Sequence, residues 1–169
     1  AEEFGLDVSK DEALRVLNDI KKLENEGYVF EGAEASVAVR FHRAKPNYRP
    51  IFTLIDFTVI VEERRGRGHL AEAMVKVDID GDVVHTAAEG NGPVNALDLA
   101  LRKALLPRYP QMADFQLADY KVRILDGQNG TAAITRVMIE TQNAHKRWST
   151  VGAGTNIIQA SWHALVDSV

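Results

Sequence analysis

Glu89-Gly90-Asn91-Gly92-Pro93-Val94-Asn95-Ala96-Leu97 is the stretch that decides the fold, because β-type sequence gives way there, through two glycines, to a helix of apolar period. A partial echo, Val151-Gly152-Ala153-Gly154-Thr155-Asn156-Ile157-Ile158, stands near the C-terminus. Each segment can direct backbone N–H groups and a helix N-terminus at one anionic ligand. A strand-to-helix turn whose glycines need positive φ explains the same residues without a ligand. Both explanations stay open at this point.

The sequence around the two glycine segments repeats. The run Phe52-x-Leu54-x-Asp56-Phe57-x-Val59-x-Val61 matches Phe115-x-Leu117-x-Asp119-Tyr120-x-Val122-x-Ile124 at one offset (115 − 52 = 63). The pair Gly90-x-Gly92 recurs as Gly152-x-Gly154 (152 − 90 = 62). We therefore predict an α+β fold of two βββα repeats, with mostly antiparallel sheets and helices packed on them.

The hydrophobic period places the elements of each repeat. The first strand follows Pro50 and is apolar on both faces, which predicts burial between two layers. Further strands are predicted over 70–79 and 83–89, and a turn followed by a helix over 90–106. The second repeat is predicted to contain strands over 131–141 and 146–151, a final helix, and a type I′ hairpin turn at Asn129-Gly130.

Residues 1–50 are predicted to form a small helical linker subdomain, and residues 51–169 to form the two-repeat domain. The capping box Ser9-Lys10-Asp11-Glu12 begins a helix that should end near Glu26. A second helix is expected over 33–43, and two prolines close the segment after it.

Composition limits the possible functions. The chain has 169 residues, 46% of them hydrophobic, and a formal net charge of −4 without a basic face, so we expect no nucleic acid partner. No apolar run approaches the roughly 20 residues that span a bilayer, so we expect no membrane partner. With no cysteine there is neither a disulfide framework nor a thiolate nucleophile. We expect a cytoplasmic protein.

The sequence contains no recognisable catalytic or metal-binding spacing. The histidines do not stand at metal-ligand spacing; they are His42, His69, His85, His145 and His163. A nucleophile elbow, a Walker loop and a pair of carboxylates suited to acid–base chemistry are also missing. We therefore expect no catalytic residue, metal or cofactor in this chain.

Three segments resemble the C-terminal part of the citramalate synthases, in the family that includes 2-isopropylmalate synthase. They are Tyr28–Ser36, Glu89–Leu97 and Leu117–Val122, and the resemblance extends over essentially all 169 residues. The first segment favours the citramalate branch. In that family a metal-dependent TIM barrel condenses acetyl-CoA with a 2-oxo acid, and a C-terminal (βββα)₂ domain dimerises and binds a branched-chain amino acid.

The resemblance implies a regulatory domain of an acyltransferase. Its expected partners are isoleucine as feedback inhibitor, a second copy in a homodimer, and the catalytic TIM barrel of a parent enzyme. Because this sequence lacks the barrel, no catalytic or metal-binding residue is carried over. Two alternatives stay open: a leucine-binding regulatory domain of 2-isopropylmalate synthase, and a dimerisation module without a ligand. Moving one methyl group is worth only about 1–3 kcal/mol in an apolar pocket, so sequence alone does not separate isoleucine from leucine.

The resemblance also implies where the amino acid binds. Its ammonium and carboxylate are expected near Gly90-Asn91-Gly92 and the 117–124 strand, with Tyr120 in the pocket wall. The residue types agree with this, because N–H groups suit a carboxylate, Asp119 suits an ammonium, and apolar side chains suit an aliphatic chain. Tyr120 has an alternative role as a core aromatic. The full candidate set is Gly90, Asn91, Gly92, Val94, Asn95, Leu117, Asp119, Tyr120, Val122, Ile124, Ile134, Gly154 and Ile157.

Overall fold

The structure, a computed structural model, describes residues 8–66, 68–125, 130 and 132–169. The elements in chain order are α1 (Lys10–Asn25), α2 (Glu34–Arg43), β1 (Thr53–Arg64), β2 (Gly68–Ile79), β3 (Asp82–Gly90), α3 (Pro93–Leu105), a 3-10 turn (Pro110–Asp114), β4 (Gln116–Ile124), β5 (Thr135–Gln142), β6 (Arg147–Gly154) and α4 (Ile157–Ser168). The described strands form two antiparallel three-stranded sheets, β1-β2-β3 and β4-β5-β6. The predicted α+β fold of two βββα units after a helical segment is confirmed.

Most element boundaries agree with the predictions. Ser9 accepts a hydrogen bond from the Glu12 N–H, and Glu12 accepts one from the Ser9 N–H, so the capping box is confirmed. In the turn and helix predicted over 90–106, the helix begins at Pro93, and Gly90 is still paired with Ala71 in the sheet. The predicted turn at Asn129-Gly130 spans residues 128–131, of which all but Gly130 lie outside the described part of the chain.

Both repeats carry the same irregularity in their first strand. The register of β1 against β2 shifts between Leu54 and Asp56, and that of β4 against β5 shifts between Leu117 and Asp119. The two shifts are separated by the predicted offset (117 − 54 = 63). A β-bulge is a specific feature of a strand, so its recurrence confirms the register of the repeat at this point.

In the last strand and the helix, equivalent residues of the two repeats are separated by a different number of residues. The Thr86 hydroxyl donates to the Ala100 carbonyl at 2.8 Å, and the Thr150 hydroxyl donates to the Ala164 carbonyl at 2.8 Å. Both partners are displaced by the same number of residues (150 − 86 = 64, 164 − 100 = 64). Each bond ties the last strand to the helix, and the second repeat has gained one residue between its first strand and this bond.

The glycine segments align with this second offset. The residues at the N-caps of α3 and α4 are Gly92 and Asn156 (156 − 92 = 64). Gly90-x-Gly92 is therefore equivalent to Gly154-x-Asn156, and the predicted match with Gly152-x-Gly154 was wrong by two residues. Since only the first repeat has glycine at the N-cap, the two helices begin with different chemistry.

Close packing explains two of these glycines. A Cβ on Gly152 would lie 2.0 Å from the Ala160 carbonyl oxygen, and one on Gly90 would lie 2.5 Å from the Ala96 nitrogen. None of the glycines in the two segments has positive φ, and Gly92 is extended (φ −173, ψ 172). The expectation of positive-φ turns was therefore wrong at these positions. Gly90 and Gly152 instead bring the last strand against the helix.

The first strand of each sheet is not buried in the chain described. Ile55 and Val61 on β1 are 45% and 58% exposed, and Val122 and Ile124 on β4 are 43% and 58% exposed. The prediction that β1 lies buried between layers was wrong for a single chain. The reason is that α3 packs mainly on β2 and β3, and α4 mainly on β5 and β6.

The described residues divide into two compact units. One contains residues up to Arg49 together with Phe115–Val169, and the other contains Pro50–Asp114. In the first unit α2 packs against β6 and α4. Tyr28, Ala33, Val151 and Ala153 form a buried cluster with Leu23, Phe30 and Ile134 packed against it. The N-terminal helical segment, named the arm here (residues 8–49), thus shares a core with the second repeat, while its predicted status as a linker subdomain stays a prediction.

We expect Gly152→Ala to lower the free energy of unfolding by about 3 kcal/mol or more, because overpacking against backbone cannot be relieved by a rotamer change. Gly154→Ala is the matched control, since a Cβ there meets nothing within 4 Å. It should change stability by less than about 0.5 kcal/mol. Urea unfolding of both variants measures this, and equal destabilisation by the two would contradict the close approach of β6 to α4.

Candidate functional site

α3 begins without a side-chain cap. Its N-cap is Gly92, and Pro93, which has no N–H, follows. The Asn95 side chain accepts the Asn91 N–H at 3.0 Å, and Ala96 donates to the Gly92 carbonyl at 2.9 Å. Within the described residues, the N–H groups of Val94 and Asn95 have no acceptor. They lie in the first turn of the helix, where an anion is stabilised by free donors and by the helix dipole.

α4 begins differently. The Asn156 side chain accepts the N–H groups of Ile158 and Gln159 at 2.9 and 3.1 Å. Gly154, the last residue of β6, pairs with Thr135, and Ile157 is 42% exposed in the first turn of the helix. Because Asn156 already occupies two first-turn donors, α4 has fewer N–H groups to offer an anion than α3 has.

Asp119 is an ionised carboxylate on the surface of β4. Its Oδ2 lies 2.7 Å from Lys121 Nζ, and its Oδ1 accepts the Tyr120 N–H at 2.8 Å. The Lys121 ammonium, and then the Tyr120 N–H, hold the pKa of Asp119 below its usual range. The same contact raises the pKa of Lys121. A ligand ammonium would therefore compete with Lys121 for this carboxylate.

Tyr120 is anchored to the first turn of α4. Its hydroxyl oxygen lies 2.9 Å from Ser161 Oγ, and Ser161 donates its own proton to the Ile157 carbonyl at 2.7 Å. Tyr120 is therefore the donor to Ser161, because a serine hydroxyl has only one proton. Two candidate residues, Tyr120 and Ile157, are brought together in this way, and Tyr120 is partly buried rather than a core residue.

Ile134 belongs to different surroundings. It packs against the cluster of Tyr28, Val151 and Ala153, and its Cγ2 lies where a Cβ on Gly27 would point, at 2.5 Å. Its carbonyl accepts the N–H of Leu125, which follows β4, at 2.9 Å. Residues of the arm therefore pack against Ile134.

The candidate set divides between the two compact units. Gly90, Asn91, Gly92, Val94 and Asn95 belong to the unit formed by Pro50–Asp114. The other members belong to the unit that includes the arm; they are Leu117, Asp119, Tyr120, Val122, Ile124, Ile134, Gly154 and Ile157. The assignment of these residues to an effector site stays a prediction.

Sequence reasoning missed a buried polar network in the second unit. The side chain of Asp167 is 2% exposed, accepts the Ser36 hydroxyl at 2.9 Å and lies 2.7 Å from Arg43. Ser36 also accepts the Val151 N–H at 3.0 Å, and Arg40 lies 3.6 Å from Asp167. One carboxylate thus joins α2 to α4, and one hydroxyl joins both to β6. We name these residues, Ser36, Arg40, Arg43, Asp167 and the Val151 N–H, the Asp167 network.

A cleft of about 290 Å³ lies beside this network, lined in part by Tyr28, Trp162 and His163. The Tyr28 hydroxyl lies 3.0 Å from His163 Nδ1. Burial raises the pKa of Tyr28. Burial also lowers the pKa of His163, with opposing smaller effects from Asp167 and Glu26 and reinforcing ones from Arg40 and Arg43.

No cluster of three potential metal-binding side chains occurs among the described residues, and no helix within them is long and apolar enough to cross a membrane. The expectation that the chain binds no metal or cofactor stays a prediction.

Stability should fall as the pH drops below the ordinary histidine pKa of about 6.5, because the unfolded chain binds the His163 proton more readily than the folded one. The contribution is fully present above that pH and is lost as the pH falls towards the lower folded pKa. His163→Gln should flatten this part of the stability profile, whereas His145→Gln, on the exposed β5–β6 turn, should not. Urea unfolding at successive pH values measures it, and an unchanged slope in His163→Gln would contradict the burial of this imidazole.

Two βββα repeats, each with an exposed first strand, and a helical arm packed on the second repeat define a small α+β domain. The family described as the LeuA allosteric (dimerisation) domain matches residues 31–169, and the chain belongs to that family.

Several (R)-citramalate synthases resemble the chain over essentially its whole length. It is 51% identical to the (R)-citramalate synthase of Geobacter sulfurreducens over 172 residues, which is 100% of this chain and 33% of that protein. It is 46% identical to the (R)-citramalate synthase of Synechocystis, across 100% of this chain and 32% of that protein. The (R)-citramalate synthase of Aquifex aeolicus is 42% identical, across 99% of this chain and 32% of that protein. The chain spans about a third of the length of these relatives.

Proposed function

We propose that this chain is the regulatory and dimerisation domain of a citramalate synthase and that it binds isoleucine as a feedback inhibitor. The parent enzyme would condense acetyl-CoA with pyruvate. The observation that carries the proposal is the similarity of the whole chain to (R)-citramalate synthases, together with membership of an allosteric domain family. The effect of isoleucine is allosteric in this proposal, because the ligand binds outside the catalytic part of the enzyme.

The candidate residues offer the chemistry that a zwitterionic aliphatic amino acid needs. The free N–H groups of Val94 and Asn95 suit a carboxylate. The ionised Asp119 suits an ammonium group. Val122 and Ile124 present apolar surface, which suits a branched aliphatic side chain.

The exposed apolar strands support a homodimer. Ile55 and Val61 on β1, and Val122 and Ile124 on β4, leave apolar side chains in water when the chain is alone. A self-complementary partner that covers such surface gains the hydrophobic free energy of burial. Two-fold symmetric pairing is the commonest way in which identical chains do this.

Titration calorimetry of the chain with isoleucine, leucine and valine tests the ligand. Isoleucine should bind most tightly, and Gly92→Val should weaken its binding at least about tenfold, since a side chain there would stand beside the free N–H groups. The fold should survive this change, because Gly92 is extended and a Cβ on it meets nothing within 4 Å. Thr155→Val is the control, because it places valine beside the start of α4, whose donors Asn156 already occupies.

The outcomes of this titration separate the alternatives. Wild-type chain that binds none of the three amino acids would contradict the proposal. Tighter binding of leucine than of isoleucine would favour a 2-isopropylmalate synthase type of regulation. Unchanged isoleucine binding by Gly92→Val would remove the start of α3 from the site and leave the rest of the proposal in place.

Sedimentation equilibrium should show a dimer of the 18.7 kDa chain at tens of micromolar. Val61→Glu should shift it towards monomer, because a charge on β1 would have to be buried in the dimer. Val83→Glu is the matched control, since Val83 on β3 is 58% exposed, as Val61 is. A wild-type monomer at these concentrations would contradict the homodimer.

A further inference from the structure

Buried polar contacts join the arm to the second repeat and oppose movement of α2 relative to α4 and β6. Ser36 is fully buried, and its single hydroxyl donates to Asp167 on α4 while accepting the N–H of Val151 on β6. Moving α2 away from α4 would leave the buried Asp167 carboxylate without partners, and such an uncompensated charge is strongly unfavourable. α2 should therefore follow any displacement of α4 as one rigid piece.

A second contact holds the loop before α2. Arg136 on β5 donates to the Val29 carbonyl, and to the Glu31 carbonyl at 2.7 Å. These carbonyls belong to the loop before α2, whereas Arg43, which contacts Asp167, belongs to its last turn. α2 is thus held at both ends by the sheet and the helix of the second repeat.

The first repeat carries different residues at the equivalent positions. The last strands and helices of the two repeats are related by an offset of 64 residues. By this offset Lys103 is equivalent to Asp167 (167 − 103 = 64), and Ala87 is equivalent to Val151 (151 − 87 = 64). Lys103 Nζ donates to the Ala87 carbonyl at 3.1 Å, on the surface. The first repeat therefore uses a lysine to contact its own last strand, where the second repeat uses an aspartate to hold the arm.

The helix that holds the arm also begins beside candidate effector residues. The Tyr120 hydroxyl donates to Ser161, the fifth residue of α4, and Ser161 donates to the carbonyl of Ile157, the first residue of the helix. Asp167 stands in the last turn of the same helix of 12 residues. At about 1.5 Å per residue, a straight helix of this length spans about 18 Å. A shift imposed at its first turn is thereby delivered to α2.

We propose that the second repeat alone transmits the effector signal to the rest of the parent enzyme, along β4, α4 and the Asp167 network into the arm. The proposal rests on the proposed function, because it assigns a route to the isoleucine effect. Arg43 and Ser36 act in it as positioning residues that make α2 follow α4. The two repeats have the same fold, but only the second carries the aspartate that holds the arm, so they differ in their regulatory role in this proposal.

The test measures the coupling between isoleucine and the 2-oxo acid substrate in the full-length enzyme. The dissociation constant of isoleucine is determined with and without substrate, and the ratio of the two values is the coupling factor. Typical allosteric coupling gives a ratio of about 5 to 150. Ser36→Ala and Arg43→Gln should each lower the ratio by at least about threefold, which is the effect of losing one net hydrogen bond or more. The isoleucine affinity without substrate and the uninhibited activity should stay unchanged.

Two further variants distinguish a loss of coupling from a general loss of stability. Arg43→Lys keeps a cation beside Asp167 and should keep most of the coupling factor. Ser168→Ala removes another buried serine of α4, whose hydroxyl donates to the Leu165 carbonyl within the helix, and should leave the factor as in wild type. A purely structural role for Ser36 and Arg43 would lower the melting temperature without changing the coupling factor.

A wild-type coupling factor in both Ser36→Ala and Arg43→Gln, in an enzyme that isoleucine binds and inhibits, would overturn the route and leave the proposed function standing. A wild-type enzyme that does not bind isoleucine would overturn the proposed function, and the route with it. A lower factor in Ser36→Ala and Arg43→Gln, with Arg43→Lys and Ser168→Ala near wild type, supports the route.

Discussion

The close approach of the last strand to the helix in each repeat determines much of the structure. A methyl group would not fit at Gly152, 2.0 Å from the Ala160 carbonyl, or at Gly90, 2.5 Å from the Ala96 nitrogen. A threonine hydroxyl then joins strand to helix in both repeats, at Thr86 and Thr150. Because the helix is drawn over the last two strands, the first strand of each sheet keeps apolar side chains in water. The same packing that closes the core thus leaves the surface that association would cover.

The pattern of the sequence contained most of the fold. The period of two in β1 and β4, with equivalent residues 63 apart, predicted paired strands and even matched the position of a bulge (117 − 54 = 63). The predictions that depended on the glycine segments were less accurate. Gly-x-Gly has two physical causes, positive φ and lack of room for a Cβ, and the sequence does not distinguish them. The latter cause applies at Gly90 and Gly152, and the former applies in neither segment.

The docking of the arm could not be predicted, because its bonds join distant residues. Ser36 and Asp167 stand 131 residues apart, and each is one of several polar residues in its helix. Such residues usually face solvent, so nothing local marks them as partners. The candidate site is affected in the same way: Ile134 matches the residue type of an aliphatic pocket, yet it packs against the arm cluster. Likewise the donors of α4 are taken by Asn156, and those of α3 are not.

Regulation in this account depends on isoleucine binding to this chain. The candidate residues with suitable chemistry are the free donors at the start of α3, in one compact unit, and the carboxylate and exposed apolar side chains of β4, in the other. Hydrogen–deuterium exchange of the full-length enzyme, compared with and without saturating isoleucine, tests this most directly. The account predicts slower exchange in peptides that cover Gly90–Asn95 and Leu117–Ile124 when isoleucine is present. Unchanged exchange in both segments, at an isoleucine concentration that inhibits the enzyme, would contradict it.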